Sequence, residues 1–301
     1  MSNPVLLLVD GLAAVYRAFH AIPELTARDG RPTNALFGFI RMQQQLEQRW
    51  APTHVLVAFD GGLPEERMAR LPTYKAQRPP MPEPLHRQLA FIEDYLDAAR
   101  RACLRLPGQE ADDVIATVSG RAVERGMEVL IATGDKDMYQ LLDDRVGMVP
   151  LSRSEERMGP AQVVEKTGVP PALVVDWLAL TGDSVDNIPG VPGVGPKTAA
   201  KWLQQFGSLD RLLACRNEIG NPRFRAALEE GSETLARNRE LMRLRRDLPI
   251  APEWEAWKAA PPDPAVLLRF FEKMDLESLA RPLRPAAPAA GQQGLLDFGA
   301  G

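Results

Sequence analysis

The sequence predicts an α/β protein on a mostly parallel central sheet, followed by an all-helical region. Three observations predict it. Runs such as Val5 to Val9 and Val55 to Phe59 are apolar throughout, as buried parallel strands are. Helical patterns alternate with such runs up to about residue 150. From about residue 160 strand patterns disappear and only helical spacing remains.

In chain order, the strand ending at Val9 is followed by a helix pattern from about Leu12 to Ala21. Asn34 can cap a second helix running towards Trp50. Val55 to Phe59 is the second strand. Prolines at 64, 72, 79, 80, 82 and 84 crowd residues 61–86, so no long continuous helix fits there. Leu85 to Leu104 has helical spacing, with Leu89, Ile92, Leu96 and Ala99 on one face. Glu110 to Asp113 opens another helix after Pro107-Gly108, and Val114 to Glu124 continues it. Val129 to Ala132 is a third strand and Val146 to Val149 a weaker one. Later helical patterns fall at 161–167, 171–181, 197–206, 208–214, 222–229 and 232–246. The expected division is an α/β domain over 1–160, a helical region over 161–281, and a Pro/Ala/Gly-rich flexible tail over 282–301.

A chain of 301 residues, 45% hydrophobic and 25% charged, can bury a sizeable core without staples. Cys103 and Cys215 are far apart, which excludes a disulfide scaffold and a cysteine-ligated zinc site and fits a reducing compartment. The early apolar run is too short for a signal peptide or a spanning helix, so a cytoplasmic chain with no membrane partner is expected. The net charge of −4, taken alone, argues against a nucleic-acid partner. Its distribution reverses that argument.

The three best strands each run into aspartate: Val9 into Asp10, Phe59 into Asp60, and Ala132 through Thr133-Gly134 into Asp135, with Asp137 two further on. In an open α/β sheet, ligands bind beyond the carboxyl ends of the strands, so these acids converge on one edge. A single Asp after a strand is readily a helix cap, but three in a row exceed that explanation. Glu110, Asp112 and Asp113 add three acids within four residues, more than a cap needs. Asp183 and Asp186 add a pair at spacing three. Like charges this dense stay ionised only if cations neutralise them. Oxygen donors without His or Cys suit Mg²⁺ or Mn²⁺ rather than zinc. His20, His54 and His86 are isolated and read as packing or surface residues. With the acid cluster set aside, the remaining acids are outnumbered by the 36 basic residues, so a net-negative chain can still present a positive face to DNA.

Ile188-Pro-Gly190-Val-Pro-Gly193-Val-Gly195-Pro-Lys197-Thr198 is the sharpest motif. Glycines let a backbone approach a phosphate, and the amides at the following helix start bind an anion together with Lys197. The pattern lacks the spacing of a Walker A loop and reads as a helix-hairpin-helix at about 188–206, which grips nucleic-acid backbone without reading sequence. Arg67, Arg70, Tyr74, Lys75 and Arg78 interleave charge with an aromatic ring beside the acids, as suits a single strand. Arg17, two turns past Asp10, points back near the same edge. Arg237, Arg239, Arg243, Arg245 and Arg246 either extend a DNA track or solubilise a helix.

The order Leu-Leu-Val-Asp10-Gly, Phe-Asp60, Tyr74-Lys75-Ala-Gln-Arg78-Pro-Pro-Met-Pro, Glu110-Ala-Asp112-Asp113, Asp135-Lys-Asp137, Thr-Gly-Asp183-Ser-Val-Asp186-Asn and Pro-Gly-Val-Gly-Pro-Lys197 resembles the flap endonuclease family, as seen in the 5′→3′ exonuclease domain of bacterial DNA polymerase I. The resemblance runs from about residue 5 to 285. It implies a PIN-like sheet, a helical arch at about 61–86 and a hairpin of the H3TH type. It implies that Asp10, Asp60, Glu110, Asp112 and Asp113 surround a first metal and that Asp135, Asp137, Asp183 and Asp186 surround a second. It implies that Arg17, Tyr74, Lys75 and Arg78 contact the scissile phosphate or thread a single strand through the arch. The implied cofactors are two or more Mg²⁺, with Mn²⁺ able to substitute, and K⁺ on the hairpin carbonyls. The implied substrates are DNA 5′ ends, nicks and 5′ flaps, together with RNA primer strands, cleaved to 5′-phosphate products by a two-metal mechanism.

Two departures stand out. Glu66 occupies a position that is often aromatic in the family, which is expected to weaken substrate contact in the arch. No polymerase region follows, which leaves either a stand-alone relative or part of a longer protein. A PIN-like ribonuclease is the rival enzyme, and the hairpin and the length argue against it. A silent DNA-structure binder is the rival without chemistry, and the retained acids argue against that. Near the C-terminus, Gln293, Leu296 and Phe298 match the Gln-x-x-Leu-x-Phe peptide with which bacterial replication proteins bind the sliding clamp.

Overall fold

Five strands form one parallel sheet in the order β3-β2-β1-β4-β5: β1 (Val5–Asp10), β2 (His54–Phe59), β3 (Ala102–Arg105), β4 (Glu128–Ala132) and β5 (Val146–Val149). The protein is seen here as a computed structural model, whose described residues are 3–151 and 156–285. β1 is central, and Leu6, Leu7 and Leu8 are fully buried from both faces, which accounts for the unbroken apolar run. From β1 the chain builds outward through β2 and β3, then returns to start β4 on the other flank. That reversal opens a crevice beyond the C-terminal ends of β1 and β4.

Alternate residues of the strands feed two cores. Leu7, Val9, Val55 and Val57 face α1 (Gly11–Ala21), α2 (Asn34–Trp50) and, beyond the short α3 (Glu65–Arg70), α4 (Glu83–Ala98). Leu6, Leu8, Leu56 and Ile131 face α5 (Ala111–Glu124). This second core runs on without a break into the helical region of α6 (Pro160–Thr167), α7 (Val174–Thr181), α8 (Pro196–Phe206), α9 (Leu209–Ala214), α10 (Pro222–Glu230) and α11 (Ser232–Met242).

Several expectations are corrected. Leu85–Leu104 is not one helix. It ends at Ala98, Arg100 turns the chain at φ +55°, and Ala102–Arg105 pairs with β2 as an edge strand. Ladder pairing overrides a helical spacing that happened to continue. The region after 160 is not wholly helical, since β6 (Gly182–Asp183) and β7 (Ile188–Pro189) form a short antiparallel ribbon. The helix expected to reach 246 stops at Met242, because the next amides are captured elsewhere: Leu244 N donates to Gln140 Oε1 (3.0 Å) and Arg245 N to Asp113 Oδ1 (2.9 Å). Asn34 does not cap α2. It lies inside the first turn, and its amide donates to Phe19 O at 3.1 Å. Two further helices, α12 (Pro264–Lys273) and α13 (Glu277–Ala280), follow the last expected one, and Phe270 and Phe271 pack back on the α/β layer beside Tyr95. Residues 61–82 hold only the six-residue α3, a turn and an extended run before α4 begins at Glu83, as the prolines require. Gln293, Leu296 and Phe298 lie outside the described residues.

Candidate active site

The sheet's C-terminal edge is where the acids meet. Asp10 ends β1, and its carboxylate accepts from Ala13 N (3.0 Å) and from the Thr133 hydroxyl (2.9 Å). Asp60 follows β2 and accepts from Ala111 N at 2.8 Å, at the start of α5. Asp135 follows β4 and accepts from Asp137 N at 2.9 Å. Each acid therefore caps a helix or turn and faces the crevice as well. On the ribbon's turn, Asp183 accepts from Val185 N at 2.7 Å, and Asp186 points to the segment 74–78.

Burial and mutual repulsion mark the cluster. Burial, with the charges of Asp135 and Asp60, pushes Asp10 up to about 6. Burial, then Asp135, Asp183 and Asp186, pushes Asp137 up to about 8. Asp112 and Asp135 are raised by burial first and neighbouring carboxylates second. Asp137 Oδ1 is buried without a hydrogen-bond partner.

Basic side chains meet the remaining acids. Lys75 pairs with Glu110 and reaches Asp186 at 3.9 Å. Arg78 pairs with Asp186 at 2.6 Å, and Lys136 with Asp183 at 2.8 Å. The Tyr74 hydroxyl lies 3.1 Å from an oxygen of Glu110 and 3.1 Å from one of Asp186. The 71–78 turn is docked on the ribbon by backbone too: Lys75 N donates to Asp186 O (3.0 Å) and Asn187 Nδ2 to Thr73 O (2.8 Å). Lys75 and Asn187 both adopt left-handed backbone there, at φ +55° and +57°. Among the described residues no three His, Cys, Asp or Glu side chains stand ready around a single point to hold an ion. The donor set nevertheless fits hard divalent cations, being all oxygen, partly unpaired at Asp137 and crowded enough to resist ionisation.

Three expected site residues are placed differently. Arg67 is not a free DNA contact. Its guanidinium is buried, pairs with Glu110 and Asp113 (2.7 and 2.9 Å to Asp113), and donates to Leu241 O at 3.2 Å. Asp113 turns away from the crevice, with its oxygens taken by Arg67 and Arg245 N. One helical residue later than Asp112, it projects about 100° round α5 and cannot share its direction. Gly190 packs rather than binds: a Cβ there would come 2.3 Å from the Thr181 carbonyl. Gly193, Gly195 and Lys197 are exposed, with Gly193 at φ +81° and Gly195 preceding Pro196 at the start of α8. Thr198 is half-buried in the same turn, and Arg70 and Arg17 are exposed on α3 and α1. Glu66 is exposed and lies 3.4 Å from Arg245. Of the C-terminal arginines, Arg239 is tied to Asp210 and Asp176, and Arg246 to Gln140 O. Thr133 and Lys136 escaped the sequence reading, although a hydroxyl at a strand end and a lysine between two aspartates were signals for them.

The sequence pattern of the 5′-3′ exonuclease N-terminal, resolvase-like domain matches residues 5–168, and that of the 5′-3′ exonuclease C-terminal SAM fold matches 169–265. The chain belongs to the 5′-3′ exonuclease family. The chain is 36% identical over 290 residues to the 5′-3′ exonuclease of Aquifex aeolicus, covering 96% of this chain and 99% of that one. It is 39% identical over 299 residues to DNA polymerase I of Mycobacterium bovis, covering 96% of this chain and 32% of that protein. It thus spans about a third of the length of the DNA polymerase I relatives. The fold is also that of the T5 D15 protein co-crystallised with metal ions (TM-score 0.68, 22% identity, 92% of this chain and 99% of that chain). The catalytic core of Rad2 in complex with DNA substrate shares it as well (TM-score 0.61, 16% identity, 94% and 93%). Among the described residues no helix is long and apolar enough to cross a membrane.

Proposed function

We propose that this nuclease is a divalent-metal-dependent 5′→3′ exonuclease and 5′-flap endonuclease on DNA, hydrolysing phosphodiesters with two metal ions and leaving 5′-phosphate ends. One observation carries the reading: acids from β1, β2, α5, the turn after β4 and the ribbon share one crevice with the basic segment 74–78. Asp10, Asp60, Glu110 and Asp112 would hold one ion, and Asp135, Asp137, Asp183 and Asp186 the other. Asp113 is left out, because it projects about 100° round α5 from Asp112, onto Arg67 and Arg245 N. Bound Mg²⁺, for which Mn²⁺ can substitute, supplies activation of the attacking water and support for the leaving oxygen.

The chain's own groups do the rest. Lys75 and Arg78 neutralise carboxylates in the structure. With those carboxylates neutralised by other cations, the two side chains are free to offset charge growing on the scissile phosphate. Tyr74, whose ring is buried in the same turn, sets its hydroxyl between Glu110 and Asp186, and the exposed Arg17 and Arg70 on α1 and α3 are further candidates for phosphate contact. Gly193, Gly195, Lys197 and Thr198 grip the duplex backbone at the start of α8. K⁺ at the hairpin, RNA primer strands, the sliding clamp and a cytoplasmic location rest on the sequence reading alone.

The test uses labelled 5′-flap DNA, a nicked duplex and an RNA of the same sequence, each with Mg²⁺ and with EDTA. Mg²⁺-dependent cleavage of the DNA substrates, to a product that ligates onto a neighbouring 3′-hydroxyl, is expected. Metal-independent cleavage, products that fail to ligate, or cleavage of the RNA alone would refute the reading.

A further inference from the structure

Asn238 lies on α11, is fully buried, and carries no sequence pattern that marks it. Its amide nitrogen donates to Pro189 O at 2.6 Å and to Ala179 O at 3.3 Å. Its oxygen accepts from the Arg237 guanidinium at 3.4 Å. Two carbonyls call for a donor, which fixes the orientation of the amide.

Both carbonyls belong to places where regular structure runs out. Ala179 is in the last turn of α7, where helix carbonyls lose their intrahelical partners. Pro189 ends β7 and pairs with Gly182 across the ribbon. A ribbon of two residue pairs is marginal by itself. It holds here because Gly182 and Gly190 let the backbones cross closely, because Val191 N donates to Leu180 O at 2.9 Å, and because Asn238 ties β7 to α7. The turn between β6 and β7 carries Asp186, and β6 itself ends in Asp183.

We infer that Asn238 is a positioning residue of the nuclease site, holding β7 against the end of α7 and so fixing where Asp183 and Asp186 stand beside Asp135 and Asp137. The inference rests on the proposed metal-holding role of those acids. Without the amide, the buried Ala179 carbonyl and the part-buried Pro189 carbonyl lose their donor, and the ribbon loses a tie that its own pairing cannot replace. The hairpin beyond it keeps separate ties, through Val191 N and through Trp177 Nε1 donating to Pro196 O at 3.1 Å.

The experiment compares wild type with Asn238→Asp, which keeps the shape but not the donors, and with Asn238→Ala, which buries no new charge. Flap cleavage is followed against Mg²⁺ concentration, duplex affinity is measured in EDTA, and Mn²⁺ binding is measured by calorimetry without substrate. The expected result is a fall in kcat of about 10- to 100-fold, a higher Mg²⁺ requirement and weaker Mn²⁺ binding, with duplex affinity retained. An unchanged Mg²⁺ requirement in a folded variant would overturn the inference. So would loss of duplex affinity alone, or loss of folded protein in both variants. If wild type cleaves nothing, the nuclease reading fails, while weaker Mn²⁺ binding in the variants still supports the positioning role and equal Mn²⁺ binding overturns it.

Discussion

The Thr133 hydroxyl donates to Asp10 Oδ2 at 2.9 Å and accepts from Asp135 N at 3.2 Å, joining the ends of β1 and β4 across the crevice. It is fully buried at the one place where the sheet's strand order reverses. A single hydroxyl therefore orients the Asp10 carboxylate and holds the backbone that carries Asp135.

Thr133→Val keeps the volume and removes both hydrogen bonds. Cleavage is expected to fall by about 10- to 100-fold, as for groups that orient metal-holding side chains. Thr133→Ser, which keeps the hydroxyl, should retain most activity. Single-turnover cleavage of flap DNA checks both, and a Val variant as fast as wild type would remove Thr133 from the site.

Arg67→Ala is expected to act on stability before it acts on binding. The guanidinium is buried between Glu110, Asp113 and the Leu241 carbonyl. Burial opposes its charge, yet the hydrogen bond and charge of Asp113, with Glu110, hold its pKa above the ordinary value. Its removal leaves the buried Asp113 with only the Arg245 amide, while Glu110 keeps Lys75, a loss of a buried ion pair that costs about 3–5 kcal/mol. Denaturant unfolding measures this. Wild-type stability combined with weakened DNA binding would instead return Arg67 to the substrate.

Asp10 and Asp137 set the pH dependence of stability. Burial and neighbouring carboxylates hold them up at about 6 and about 8. A carboxyl raised on folding favours the folded state most when protonated, so its contribution is complete below the ordinary carboxylate range. That contribution is lost as pH rises through about 6 and then about 8. Divalent ions compete with these protons. Thermal melts without metal should therefore soften across this window, and Mg²⁺ should raise the midpoint more at its upper end than at its lower. An Mg²⁺ increment that shrinks as pH rises would contradict this.

Lys197→Ala tests the hairpin. Its ammonium is exposed at the start of α8, beside Gly195. Affinity for duplex of any sequence should drop, and the slope of binding against salt should lessen by about one. Titrations at several salt concentrations on unrelated duplexes decide it, and a sequence-selective loss would argue against a phosphate contact.

The sequence by itself determined the sheet's central strands, the acids at their ends and the hairpin at the start of α8. These are local patterns: an apolar run marks a buried strand, the residue after it stands at the sheet edge, and Gly-x-Gly-Pro-Lys opens a helix whatever lies around it. Only the tertiary structure decided which charges meet. Arg67 bonds a carbonyl 174 residues away, Asp113 an amide 132 away, and Asn238 a carbonyl 49 away. Pairing with β2 likewise turned Ala102–Arg105 from a helical pattern into a strand. The physical reason is the same in each case. A buried polar group must find a partner, and which one it finds is set by the packing of elements distant in sequence, which no spacing along the chain records.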